Sequence, residues 1–336
     1  MSPAAADVEY TLPIQRVQGL IAVARNKGWD IAAALADAGV APELLAQGGS
    51  RITLDQAVRI VQRLWRETGD ELLGLGLQPV PLGTFRLVCF GLLGAPTVRA
   101  AAQRYTAFQR SLPGVPPVTV GASGDEVRVS FDISAIVAPV ALPIDTMLAA
   151  CHRFACWAAA KRLPLRRVEV PYTAIPGLDD YDEMFGAPVV FAAPAPALVF
   201  AAAVLDAPLV RDEQDLTDYL TNAPAGVMGR RGFPLSITAR VRHILERRLD
   251  GPGPTVEEIA AELAMSPQTL RRRLGEEGTS LRRVREQILR DAAIASLVRG
   301  EETVAALARR LGFSEPSSFS RAFRRWTGSP PGSYQR

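Results

Sequence analysis

Lysine is almost missing from this 336-residue chain; Lys27 and Lys161 are the only two. Histidine also occurs only twice, at His152 and His243, which leaves little material for imidazole acid–base chemistry. The three cysteines, Cys89, Cys151 and Cys156, form no C-x-x-C pair, and only His152 and His243 could assist them as histidine ligands, so no zinc site is expected. Cys151 and Cys156 fall five apart on an expected helix, a poor geometry for a disulfide, so small buried apolar roles and a reducing cytoplasm are expected. No apolar run reaches ~18 residues without a charge or a proline, so no membrane span is expected. The start, M-S-P-A-A-A-D-V-E-Y, lacks the basic and apolar regions of a secretion signal. Neither G-x-S-x-G, nor a phosphate-binding loop, nor G-x-G-x-x-G occurs, and no enzyme, cofactor or metal is expected.

What is present is unevenly spread. Residues 228–336 carry 20 Arg against 12 acidic residues, a balance of +8, whereas residues 1–227 carry 18 basic against 23 acidic, a balance of −5. A basic third beside an acidic remainder suits one part that meets phosphate and one that does not. Hydrophobic residues make up 48%, enough for sizeable cores in two domains.

Helical spacing predicts helices over 12–25, 53–67, 82–93, 97–108 and 144–161, with a shorter one over 212–221. Between them, 118–120 and 127–133 alternate around G-A-S-G-D, a hairpin signal, and 167–170, 188–191 and 197–200 read as further strands between proline-rich turns. The expected fold is therefore an α+β N-terminal domain (1–225), a linker (226–234), and an all-α C-terminal domain (235–336). The acidic group Asp179, Asp180, Asp182 and Glu183 reads as a solvated loop.

The most informative pattern lies in the C-terminal third and is written twice, 48 residues apart. Thr255 opens a short apolar helix that ends at Ala264-Met265, and Ser266-Pro267 then opens a helix with Gln268, Arg271 and Arg272. Thr255 and Glu258 make a capping box. Leu270 and Leu274, four apart, face inward, which puts Gln268, Arg271 and Arg272 on the outer face at ~100° per residue. Arginine can hold guanine bidentately and glutamine can hold adenine. In the second copy Thr303 opens the short helix, Gly312 stops it, and Ser314 is expected to cap the next. There Phe319 and Phe323 face inward, Ser317, Ser320 and Arg321 face outward, and Arg324 and Arg325 extend the basic surface. Each copy reads as a helix-turn-helix, and a helix over 280–299 can hold the two recognition helices one DNA turn apart, about 34 Å. Sequence-specific DNA binding at a bipartite site is the leading expectation.

These residues carry a resemblance. A-E-L-A-M-S-P-Q-T-L-R-R-R-L-G-E-E-G-T-S (261–280) and V-A-A-L-A-R-R-L-G-F-S-E-P-S-S-F-S-R-A-F-R-R-W-T-G-S-P-P-G-S-Y (304–334) resemble the AraC/XylS family of bacterial transcription regulators. The resemblance implies base-facing roles for Gln268, Arg271, Arg272, Ser317, Ser318 and Arg321. Pro316 departs from a position that is often polar. P-L-G-T-F-R-L-V-C-F-G-L-L-G-A-P-T-V-R-A-A (81–101) and D-Y-D-E-M-F-G-A-P-V-V-F (180–191) are similar to the arabinose-binding-type sensor domain of one branch. The family implies a cytoplasmic, homodimeric regulator, an activator rather than a repressor. It would respond to a small-molecule effector (an amino acid, a fatty acid or another small organic acid) and act on RNA polymerase. Arg86, His152 and Trp157 are candidate effector contacts, each set against ordinary packing. Trp65, Phe85, Phe90, Phe108 and Phe154 are candidates to line a pocket, with core packing as the alternative. The competing reading is a constitutive architectural DNA binder whose N-terminal domain only dimerises.

Overall fold

The computed structural model describes residues 10–137, 140–178, 180–221, 237–249, 251 and 253–335. The expected linker at 226–234 and Asp179 lie outside them. Contacts divide the chain into two units, one of Met1–Ile14, Gly39–Leu54 and Pro234–Arg336, the other of Gln15–Ala38 and Asp55–Phe233.

The second unit holds α1 (Ile14–Asn26), α2 (Ile31–Asp37), α3 (Leu54–Thr68), α4 (Thr84–Leu92), α5 (Val98–Phe108), α6 (Ala141–Ala158), α7 (Tyr181–Phe185) and α8 (Glu213–Thr221). Its sheet runs in the order β3 (Val118–Ser123), β4 (Glu126–Phe131), β7 (Ala197–Ala201), β5 (Leu165–Glu169) and β6 (Val189–Val190). The β3–β4 hairpin closes through Gly124-Asp125, with Ser123 opposite Glu126 and Gly124 at a φ of 59° that a glycine accepts without strain. Every strand pair is antiparallel except β5–β6. The apolar face of α6, with Ile144 and Leu148, packs with Val168, Leu198 and Phe200 of the sheet. A second cluster joins Cys89 of α4 to Phe154 and Ala158 of α6 and Leu216 of α8. Thr97 caps α5 by accepting from the Ala100 amide at 3.2 Å. Glu71 receives the Gly83 and Phe85 amides at 2.7 and 2.8 Å, which places a carboxylate at the start of α4.

Asp180 does not lie in a solvated loop. It is buried and takes the Arg16 guanidinium in a two-pronged pair at 2.7 and 2.9 Å. Arg16 Nη1 also donates to Asp145 at 2.5 Å, and the Tyr172 hydroxyl donates to the other oxygen of Asp145. Tyr181 donates to Tyr172 at 3.1 Å, and the Arg16 guanidinium lies 5.0 Å from the Tyr181 ring centre. A buried charge is tolerated only when paired and hydrogen-bonded, and this arrangement ties α1, α6 and α7 together. Sequence spacing gave no sign of it, because the partners are 129 and 164 residues apart. Asp182 by contrast is exposed and Glu183 half-buried.

The first unit joins an N-terminal ribbon to the C-terminal helices. The strands β1 (Thr11–Pro13) and β2 (Arg51–Thr53) pair antiparallel, with Leu12 opposite Ile52. The helices are α9 (Ile237–Glu246), α10 (Val256–Glu262), α11 (Pro267–Glu276), α12 (Leu281–Arg299), α13 (Val304–Arg310) and α14 (Pro316–Thr327), followed by a 3-10 turn at Pro331–Tyr334. Turn formers and composition alone predict one boundary, at a linker over 226–234. Contacts instead group residues through Ile14 and 39–54 with the C-terminal third, because Leu44 and the β1–β2 ribbon are buried there.

Burial pushes the Asp145 carboxyl up to about 6, against the pull of Arg16 and of the Tyr172 hydrogen bond. Its folded value thus lies above the ~3.9 of an unfolded chain. The contribution of this carboxyl to stability is full below that unfolded value and is lost as pH rises through about 6. Asp145→Asn keeps one acceptor for Arg16 and removes the titration. Thermal unfolding at pH 4 to 7 should show the variant gaining on the wild type as pH rises. A constant difference across that range would mean that Asp145 does not titrate there.

Candidate nucleic-acid interface

The first module is built around its own small core. Ile259, Ala260 and Leu263 of α10, Leu270 and Leu274 of α11, and Val284 and Ile288 of α12 pack with Ile237, Val241, Ile244 and Leu245 of α9. The capping box forms as expected. The Thr255 amide donates to Glu258 at 2.8 Å, and the Glu258 amide to the Thr255 hydroxyl at 3.2 Å. Ser266 accepts from the Thr269 amide at 3.1 Å and Pro267 takes the first helical position, where its missing N–H costs nothing. Glu277, just past α11, receives the Ile237 and Thr238 amides at 2.9 and 2.8 Å, so one carboxylate links the end of α11 to the start of α9.

The second module repeats this plan with aromatic packing. Leu307, Ala308 and Leu311 of α13 and Phe319 and Phe323 of α14 meet Ala293, Ile294 and Leu297 of α12. Phe313, Phe319, Phe323 and Tyr334 follow one another edge-on or tilted at 5.3–5.7 Å. The two turns superpose in logic, since Met265 donates to the Ala260 carbonyl and Phe313 to the Ala308 carbonyl, both at 2.9 Å. The left-handed position of each turn is Ala264, at a φ of 54°, and Gly312, at 83°. Ser314 does not cap α14. Its N-cap is Glu315, which makes no side-chain cap bond, and Pro316 follows at the first position. The second turn is therefore one residue longer, and Leu270 and Leu274 correspond to Phe319 and Phe323, 49 rather than 48 residues on.

Helix α12 carries both cores, Val284 and Ile288 serving the first and Ile294 and Leu297 the second. At 19 residues it is ~28 Å long, comparable to the rise of one DNA turn. Gln268, Arg271, Arg272, Ser317, Arg321 and Arg324 are exposed, and Ser318 and Ser320 half-buried. Arg272 pairs with Glu276 on its own helix, and Arg321 donates to the Ser318 hydroxyl at 3.1 Å. Glu286 of α12 takes Arg282 at 3.3 Å and Arg325 at 3.6 Å. Such exposed pairs are worth little in water and exchange readily for phosphate. Each recognition helix thus presents a polar, cation-rich outer face on an apolar base.

The structure gives each effector candidate partners of its own within the protein. His152 is buried, donates from Nε2 to the Leu163 carbonyl at 2.8 Å, and has its ring 5.9 Å from that of Phe200. Burial pushes its pKa down to about 4, so it stays neutral near pH 7. Trp157 points to another face of α6, stacked on Tyr219 at 4.7 Å with Arg211 5.9 Å over its ring. Arg86 is exposed, 5.4 Å over the Phe90 ring. Phe85, Phe90 and Phe154 pack in the α4–α6–α8 cluster, Phe108 meets Tyr105 edge-on at 5.5 Å, and Trp65 donates to the Glu71 carbonyl at 3.1 Å.

Residues 28–209 match the family model of the arabinose-binding domain of AraC transcription regulators, N-terminal part, and residues 259–336 match a helix-turn-helix domain model. The chain belongs to the AraC family of transcription regulators. It is a regulator of transcription with a helix-turn-helix DNA-binding domain of AraC type. It is similar to an uncharacterized HTH-type transcriptional regulator of Mycobacterium tuberculosis, at 29% identity over 99% of this chain and 98% of that one. It is 24% identical to the ornithine utilization regulator of Pseudomonas aeruginosa over 96% of both chains. Among solved structures it is similar to the transcriptional regulator CdpR of the same organism, with 26% identity, a TM-score of 0.28, and coverage of 75% of this chain and 82% of that one. Among the described residues, no helix of this AraC-type regulator is long and apolar enough to cross a membrane.

The turn geometry yields a stability test. A left-handed alanine costs roughly 1–2 kcal/mol, part of which glycine's greater unfolded freedom offsets. Ala264→Gly should stabilise the chain by up to about 1 kcal/mol, and Gly312→Ala should destabilise it by about as much. Denaturant unfolding midpoints of the two variants should move in opposite directions. A shift of both the same way would contradict the assignment of Ala264 as the strained counterpart of Gly312.

Proposed function

We propose that this chain is a ligand-responsive transcription regulator, an activator, that reads a bipartite promoter site through α11 and α14. The observation that carries the reading is the pairing of two outward polar faces on one shared helix, α12. Gln268, Arg271 and Arg272 supply base and phosphate contacts from α11. Ser317, Ser318, Ser320, Arg321 and Arg324 do so from α14. The arabinose-binding-type unit binds a small organic effector, and the chain works as a homodimer that also engages RNA polymerase. Effector binding acts by favouring one arrangement of the protein over another, as differential affinity requires. The similarity to an ornithine utilization regulator puts amino acids first among effector classes, ahead of fatty acids and other small organic acids.

Two measurements test this reading. Arg321→Ala should lose ~1–3 kcal/mol on a selected duplex and relax specificity at one position. An equal loss on every sequence would reduce Arg321 to a phosphate contact. Thermal unfolding of the full chain against amino acids, fatty acids and small aromatic acids should reveal the effector, which at 100 times its dissociation constant adds ~2.7 kcal/mol. Silence across the panel, with the chain folded and binding DNA, would favour a constitutive DNA binder.

A further inference from the structure

The two modules are not built alike. Among the described residues, the core of the first draws on residues from Ile237 onward. The core of the second includes Leu44, with Ala41 packed against it, from a segment far upstream in the chain.

That segment makes three further polar and close-packed attachments. The first is a relay onto α12. Arg51 Nε donates to the Thr11 hydroxyl at 2.7 Å, and that hydroxyl donates to Asp291 Oδ1 at 2.6 Å. Arg51 Nη2 also holds the Thr11 carbonyl at 2.6 Å, and Arg290 reaches the same Asp291 oxygen at 3.2 Å. Thr11 and Asp291 are fully buried and Arg51 nearly so. In the second attachment the Arg51 amide donates to the Tyr334 hydroxyl at 3.2 Å, and the Tyr334 ring packs edge-on against Phe323 of α14 at 5.3 Å. The third grips the end of α14 itself. Ser329 Oγ donates to Gln47 Oε1 at 2.5 Å and lies 3.4 Å from Ser50 Oγ. Gly49 lies against the α14 terminus so closely that a methyl group there would come 2.9 Å from the Thr327 carbonyl carbon. That neighbour is backbone and cannot swing aside.

We propose that the β1–β2 ribbon and residues 39–50 form a clamp that positions the second recognition helix, so that reading of its half-site, but not that of α11, depends on Thr11, Gly49 and Arg51. This rests on the bipartite reading above. These are positioning residues. They act from the inner side and the C-terminal end of α14, away from the outward Ser317 and Arg321. A recognition side chain displaced by a fraction of an ångström loses bidentate geometry while phosphate contacts survive. The seating of α14 therefore governs specificity as well as affinity.

The test uses full-length chains and duplexes selected from a random-sequence pool by the wild type. Footprints of Arg271→Ala and Arg321→Ala assign each subsite to its helix. The double variant Thr11→Val/Gly49→Ala should lose protection at the α14 subsite and bind about 5- to 10-fold more weakly, the scale of one or two buried hydrogen bonds. Protection at the α11 subsite should persist and reports that the chain is folded. Thr11→Ser, which keeps the hydroxyl, should footprint as the wild type. A double variant with both subsites intact, or with both weakened equally, would overturn the clamp. A wild-type footprint confined to one subsite would instead refute the bipartite reading on which the clamp depends.

Discussion

One helix, α12, holds the DNA-binding half together. Its buried side follows a continuous stripe in which Val284 and Ile288 close one core and Ile294 and Leu297 close the other. Because an α-helix resists bending over five turns, two separately packed modules inherit a set spacing from one rod. Apolar burial is non-directional and cannot by itself choose a separation. The rod supplies the missing geometry, and the outward faces of α11 and α14 are held at one spacing by the helix that both modules pack on.

The modules share a plan but differ in how they are stabilised. The first relies on local devices, namely a capping box, a serine cap and a proline at the first helical turn. Its left-handed turn residue is an alanine. The second has a glycine in the turn and a row of aromatic rings, but no side-chain cap on its recognition helix. It draws on residues 240 or more positions upstream, where a threonine and an arginine satisfy the buried Asp291 of α12. Long-range packing there supplies what local capping supplies in the first module. Its closure also joins chain ends that are far apart in sequence, which costs more entropy than a local cap.

The arabinose-binding-type unit rests on an analogous constraint of different chemistry. Arg16 is buried between two aspartates and beside two tyrosines, and each partner answers a desolvated charge. Removing one partner would leave a charge without its counterpart, so the network specifies how α1, α6 and α7 meet. The sheet and the α4–α6–α8 cluster supply most of the apolar burial around it.

Periodicity and local turn chemistry were enough to place the helices of both modules, the β3–β4 hairpin, the long α6 and the outward side chains of α11 and α14. Each of these depends on neighbours within about four residues, through helical spacing, caps or a two-residue turn. The same local rules misplaced the cap of α14, because one extra residue in the second turn moved the boundary past Ser314. They passed over α2 and the three-residue strands β1 and β2, which are too short for a period to show. One clue was legible in retrospect. Asp291 falls at helical spacing between Ile288 and Ala295 on the apolar face of α12, and a charge at a core position calls for a partner. Which partner it has, and that Asp180 lies inside rather than in a solvated loop, only the tertiary structure decided. The energy of a buried charge is set by whatever the fold brings within 3 Å, and sequence separation carries no information about that distance.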